Sequence, residues 1–278
     1  MQCVHLHKAT PVSSSNTAQS ITIEDIAGIR YALASGRFNA GEAAWTTFTL
    51  SAAVEFAGFL NSASNSAMIT RQALGNMIEK CPRFRAADSI LQGATNQASF
   101  SDSNDDLELI RVGTMDGKDV AWCDYLQRFS DALARRGMDK KYARGLAESL
   151  HEMADNVVQH SSGSEKEMPR NIAGWHAFQR GAAFIVLDLG RGIRRSLAEN
   201  PKWSGLTTDK ETLGAVLHKH ATRRTEVSEG NGFKDVVKNF VERNGVLSTP
   251  VRLKPIEFQL DRNINEINPC IIFHNQFM

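Results

Sequence analysis

Glu152 and Asn156 stand four residues apart in the segment Leu150-His151-Glu152-Met153-Ala154-Asp155-Asn156. On a helix such a pair shares one face. A carboxylate beside a carboxamide can hold a hydrated hard cation through oxygen, and the carboxylate can orient or deprotonate a water. Asp188 stands near the end of the apolar run Ala182 to Leu189, and Gly190 and Gly192 follow it. A buried aspartate needs a donor, and the exocyclic amine of adenine is one. Alternating glycines let a flat ring or a phosphate approach the backbone. Gly230-Asn231-Gly232 opens a segment with helical spacing, Phe233 to Arg243. Free N–H groups at a helix start, reached through glycines, bind anions. Between the last two motifs lies His220-Ala221-Thr222-Arg223-Arg224, whose Arg223 and Arg224 carry the planar fork that suits phosphate oxygens. Taken singly, these patterns are also those of a solvated helix face, a tight turn after a strand, a Gly-rich turn and a solvated basic loop.

Other chemistries fail on spacing. The chain has no GxxxxGK[ST] and no GxSxG. Gly190-Arg191-Gly192 reaches Arg195 where a dinucleotide fingerprint needs Gly or Ala. His151-Glu152 reaches Asp155 where a zinc-protease motif needs its second His. His218 and His220 are two apart in a charged stretch and suit a solvated loop better than a metal. Cys3, Cys81, Cys123 and Cys270 form no CxxC pair, which removes a zinc or redox motif and fits a reducing cytosol.

The elements that must carry the three motifs follow from periodicity. Leu146, Leu150, Met153, Ala154 and Val157 form an apolar stripe on a helix from Asp139, its cap, to about His160. Glu148, Glu152, Asp155, Asn156 and Gln159 fall opposite it. Val120 to Arg136 reads as a preceding helix closed by Gly137. Leu107 to Val112 reads as a strand, and Ala182 to Leu189 as a buried central one. Three short strands end the chain: Val246–Ser248, Ile256–Leu260 and Cys270–Phe273. Residues 1–20 read as a flexible arm. Residues 21–105 read as a helical accessory or dimerisation region, with a segment starting at Ile23, a buried helix over Ala43–Leu60 and another over Met68–Lys80 stopped by Pro82. The polar stretch Ser99 to Asp106 sets the boundary, and residues 106–278 form the main domain. Helices and strands mix without βαβ alternation, so the expected class is α+β, a mixed sheet with helices on one face.

The 278 residues carry 32 Lys+Arg against 31 Asp+Glu, so no global field recruits nucleic acid or an anionic membrane. The longest apolar stretch, Thr47 to Leu60, is shorter than the roughly 20 residues of a spanning helix and is broken by Glu55. The start, MQCVHLHKAT, has no apolar signal core. The expected location is cytoplasmic, with no membrane partner.

In their order, the three motifs resemble the N box and two glycine boxes of the GHKL ATPase superfamily, which includes gyrase B subunits, Hsp90-type chaperones, sensor histidine kinases and MutL proteins. The intervals of 32 positions from Asn156 to Asp188 and 38 from Gly192 to Gly230 suit that family. His160, four residues after Asn156, also resembles the anti-sigma-factor serine kinases. The resemblance covers residues 107–278. It implies a Bergerat-type sandwich that binds ATP or ADP with Mg²⁺, hydrolyses ATP slowly, and switches a lid over Ile193–Glu229 and a protein partner. Asn156 would hold Mg²⁺, Glu152 would act as general base, and Asp188 would take the adenine amine with Gly192 beside the ring and Gly190 in the same nucleotide-binding box. Gly230, Asn231 and Gly232 would hold the phosphates, with Arg223 or Arg224 as a clamp. Serine kinase activity and a non-catalytic nucleotide-sensing module are the alternatives. Asn268-Pro269-Cys270-Ile271 lacks the Gly-Thr pair many members carry before the last strand, and no histidine-kinase phosphoacceptor helix is found.

Overall fold

The computed structural model describes residues 19–21, 45–62, 79, 81–102, 105–113, 119–161, 171–178, 181–189, 193–208, 211–212, 214–216, 221, 236, 246–251, 254–259 and 270–272. Its centre is a four-stranded antiparallel sheet of β3 (Gln97–Ser101), β4 (Asp105–Val112), β5 (Asn171–Phe178) and β6 (Gly181–Leu187), neighbours in that order. The period of two along each strand sends alternate side chains to opposite faces. Ile110, Val112, Ala173, Trp175, Ala177, Phe184 and Val186 face one way, and Leu107, Leu109, Ile172, Ile185 and Leu187 the other.

Each set is covered. The first face carries α3 (Val120–Arg135) and α4 (Lys140–Ser161), whose Tyr125, Phe129, Leu146, Leu150, Met153 and Val157 complete one core. Phe129 stacks on Trp175 with centroids 5.2 Å apart. The second face carries α1 (Leu50–Ser62) and α2 (Pro82–Leu91), with Phe56, Phe84 and Ile90 fully buried. Asn61 Nδ2 donates to Asp88 Oδ1 at 2.8 Å and joins these two helices. Helices therefore lie on both faces, a correction to the expected single layer. The cause is the apolar content of both strand faces, which a one-sided sheet would leave wet.

Local chemistry sets the boundaries. Asp119 Oδ1 accepts from the amides of Ala121 and Trp122, capping α3. Gly137, at φ +87°, turns the chain out of α3, and Asp139 Oδ1 accepts from Tyr142 N at 3.1 Å to start α4. The helical reading of residues 21–105 is corrected where Ile21, Trp45–Phe48 and Gln97–Ser101 are strand. Trp45–Phe48, the start of the expected Ala43–Leu60 helix, is strand β2, paired in parallel with β1 (Gln19–Ile21), so Gln19 and Ser20 of the expected arm lie in a strand as well. Thr46, Thr47 and the flanking Trp45 and Phe48 are β-branched or aromatic and favour extended backbone. Thr49 then starts α1, its Oγ1 accepting from Ala52 N at 3.3 Å. Pro82 begins α2, where its missing N–H costs nothing.

The polar stretch Ser99 to Asp106, expected to separate domains, ends β3 and begins β4, and α1 and α2 pack on the same sheet. Strand β5 was not legible in the sequence: NIAGWHAF mixes small, aromatic and polar residues without period. Near the C-terminus, β7 (Val246–Val251) pairs antiparallel with β8 (Lys254–Gln259) and parallel with β9 (Cys270–Ile272), and β9 lies alongside β6. The expected segments at Ile23 and Met68–Lys80, apart from Glu79, lie outside the described residues, as does Phe233–Arg243 apart from the buried Val236. No described helix is long and apolar enough to cross a membrane.

Candidate functional site

Two hydrogen bonds fix the direction of the α3–α4 pair. Arg136 Nη2, just past the end of α3, donates to Asp106 Oδ2 at 3.0 Å, at the start of β4. Trp122 Nε1, at the start of α3, donates to His151 Nδ1 at 3.0 Å, in the middle of α4. So α3 runs against β4, and α4 runs back with it. Residues beyond His151 therefore project toward the end of β4 at Val112. Register puts Asp188 at that same end, because Leu187 pairs with Ile172 and Ile172 with Arg111. The second half of α4 and the end of β6 meet at one edge of the sandwich. Helix α5 (Ile193–Leu197), which follows Asp188 in the chain, packs on α4.

At this edge Asn156 is half-buried, and its amide Nδ2 is sealed from solvent without a hydrogen-bond partner. Such an orphan costs roughly 1–3 kcal/mol unless a bound group satisfies it. Glu152, one turn earlier, is half-buried. Asp188 is only 5 % exposed and is engaged by a further interaction. The bond from Trp122 leaves the Nε2 of a neutral His151 carrying the proton. This contact spans 29 positions, so no local pattern could disclose it.

Comparison with protein-family models, curated proteins and solved structures finds no match.

The remaining site residues read from the sequence, Gly190, Gly192, Arg223, Arg224, Gly230, Asn231 and Gly232, lie outside the described residues. Part of the expected lid is described. Leu197, Ala215, Val216 and Ala221 are buried together with Ile193, Trp203 and Leu206 against them, so this stretch has more apolar anchoring than its charge suggests. Thr208 and Glu211 cap its second half reciprocally. Glu211 N donates to Thr208 Oγ1 at 3.2 Å, and Thr208 N donates to Glu211 Oε2 at 3.0 Å. The backbone and hydroxyl bonds from Thr208, with those of Thr207, hold the Glu211 carboxyl below its ordinary range.

No group of three or more His, Cys, Asp or Glu among the described residues could cage a metal. A cation here would need most of its oxygens from a ligand, because the amide oxygen of Asn156 is the one donor the motif offers it. Asn156 supplies one amide, and Mg²⁺ commonly sits on one or two protein oxygens plus phosphates and waters.

Proposed function

We propose that the chain binds ATP with Mg²⁺ at the edge where α4 meets the end of β6, hydrolyses it slowly, and uses the change to act on a protein partner. The observation that carries this reading is the sealed, unpartnered Nδ2 of Asn156, a donor without an acceptor such as a phosphate oxygen, on the same edge as the buried Asp188. Asn156 would hold the cation, which neutralises phosphate charge when bound. Asp188 would accept from the adenine amine. Glu152, on the same helix face as Asn156, would accept a proton from the attacking water. The two glycine boxes and Arg223 or Arg224 would cradle the phosphates in a Bergerat-type domain. This reading belongs to the GHKL superfamily by motif order. Serine kinase activity is favoured by one feature: α4 continues as helix through His160, one turn past Asn156.

The test is calorimetric titration with a non-hydrolysable ATP analogue and Mg²⁺, followed by phosphate release. The parent should bind in the micromolar to millimolar range, about −8 to −4 kcal/mol. Asn156→Ala should lose most affinity. Asp188→Asn should weaken binding about tenfold, by presenting the wrong group to an amine. Glu152→Ala should keep affinity and abolish phosphate release. Unchanged affinity in both Asn156→Ala and Asp188→Asn sinks the site. Release that survives Glu152→Ala removes the base, and phosphoserine formed only with added protein extract selects the kinase.

A further inference from the structure

A concavity lies at the other end of the sheet from Asn156 and Asp188, on the face that α1 and α2 cover. It encloses about 700 Å³ between the end of β3, the start of β4 and the start of α2. That is the size range of small-molecule sites. Its apolar floor is Phe48, Phe100 and Leu107. Its charged groups are of both signs, Arg83 against Asp102 and Asp105. Leu107 pairs with His176, whereas Asp188 follows the Ile172–Leu187 pair, so this cavity is remote from the proposed nucleotide edge and independent of it.

The charges are incompletely matched to one another. Arg83 Nη1 donates to the Phe48 carbonyl at 3.3 Å, and its Nη2 stays 4.0 Å from Asp105 Oδ2, beyond hydrogen-bond reach. The other oxygen of Asp105 lies 3.4 Å from His176 Nε2. Burial pushes the His176 pKa down, with Asp105 partly opposing, so the ring is neutral at pH 7 and does not cancel the carboxylate. Cys81, at the head of α2, provides no side-chain cap, and the positive end of the helix dipole lies beside Arg83.

We propose that this cavity binds a small zwitterion, an aminocarboxylate with an apolar side chain. Its carboxylate meets Arg83 and the start of α2, its ammonium meets Asp102 and Asp105, and its side chain lies on Phe48, Phe100 and Leu107. A simple anion is opposed by two carboxylates. A simple cation leaves Arg83 and the helix start facing it. A neutral apolar molecule takes water from Arg83, Asp102 and Asp105 and gives them no charge in return. Only a ligand carrying both charges and an apolar body answers the whole lining.

The experiment titrates the full chain with L-phenylalanine, with 2-phenylethylamine, which lacks the carboxylate, and with 3-phenylpropionate, which lacks the ammonium. Phenylalanine should bind at least about tenfold more tightly than either analogue, each missing charge losing one set of partners. Arg83→Gln should bring phenylalanine down to the level of the amine, and Asp105→Asn should bring it down to the level of the acid. The comparison of the three ligands on the parent stands even where a variant fails to fold. Equal or tighter binding of the amine overturns the proposal in favour of a cation site. Equal or tighter binding of the acid overturns it in favour of an anion site. No saturation by phenylalanine below about 10 mM, roughly −3 kcal/mol, overturns it outright.

Discussion

Asp106 is where the start of β4 is tied to the end of α3. Its carboxylate accepts from Ser101 Oγ at 2.5 Å, from Arg136 Nη2 at 3.0 Å and from Arg135 Nη2 at 3.5 Å. The Ser101 bond first, and then the Arg136 guanidinium, hold its pKa below the ordinary carboxylate range against the opposing effect of burial. A depressed carboxyl stabilises the fold above the unfolded-state pKa, and that contribution is lost as pH falls through the lower folded value. Asp106→Asn should cost about 1–3 kcal/mol at pH 7, since charged hydrogen bonds are replaced by weaker ones. The gap between parent and variant should narrow as pH falls below the carboxylate range. Urea midpoints from pH 7 to pH 3 measure it, and a gap that stays constant across that span would assign the effect to packing instead.

At the scale of elements, Gly174 explains how α1 approaches the sheet. It sits in β5 on the face that α1 covers. A Cβ there would meet Leu109 Cδ2 at 2.6 Å, Leu50 Cδ1 at 3.0 Å and Ile185 Cγ2 at 3.3 Å. All three neighbours are buried, so they cannot swing into solvent. Gly58 does the same from the helix side, where a Cβ would meet Leu187 Cδ2 at 2.7 Å. Gly174→Ala should therefore destabilise by about 1–3 kcal/mol, the usual cost of overpacking a filled core. Thermal unfolding checks this. A variant as stable as the parent would mean that α1 can lift from β5 without loss.

The whole molecule depends on both helical layers. Among the described residues, α1 and α2, with Phe48 and Cys81 beside them, cover the face bearing Leu107, Leu109, Ile172, Ile185 and Leu187. Exposing five such side chains costs on the order of 10 kcal/mol, comparable to the total stability of an ordinary domain. A fragment starting at Gln97 should thus keep much of its secondary structure, bind a hydrophobic dye and lose its cooperative transition. A fragment that unfolds cooperatively and leaves the dye unbound would show that residues 106–278 stand alone.

The elements carrying strong local signals were legible in the sequence. Strand β4, helix α3 with its Gly137 stop and helix α4 with its Asp139 cap lie within a residue or two of their expected ends. Strand β6 starts one residue early and ends two short of its expected span, and the three C-terminal strands are present. Caps, stops and apolar stripes act over one or two turns, so the local chain determines them. The Glu152–Asn156 spacing on one helix was legible for the same reason. What only tertiary structure decided is which strands are neighbours and which faces are covered. The irregular β5, the helices on the second face, the Trp122–His151 bond and the mixed-charge cavity at Arg83 all join residues distant in the chain. No period along the sequence encodes such pairings, because their free energy comes from burial against partners that only the assembled sheet supplies.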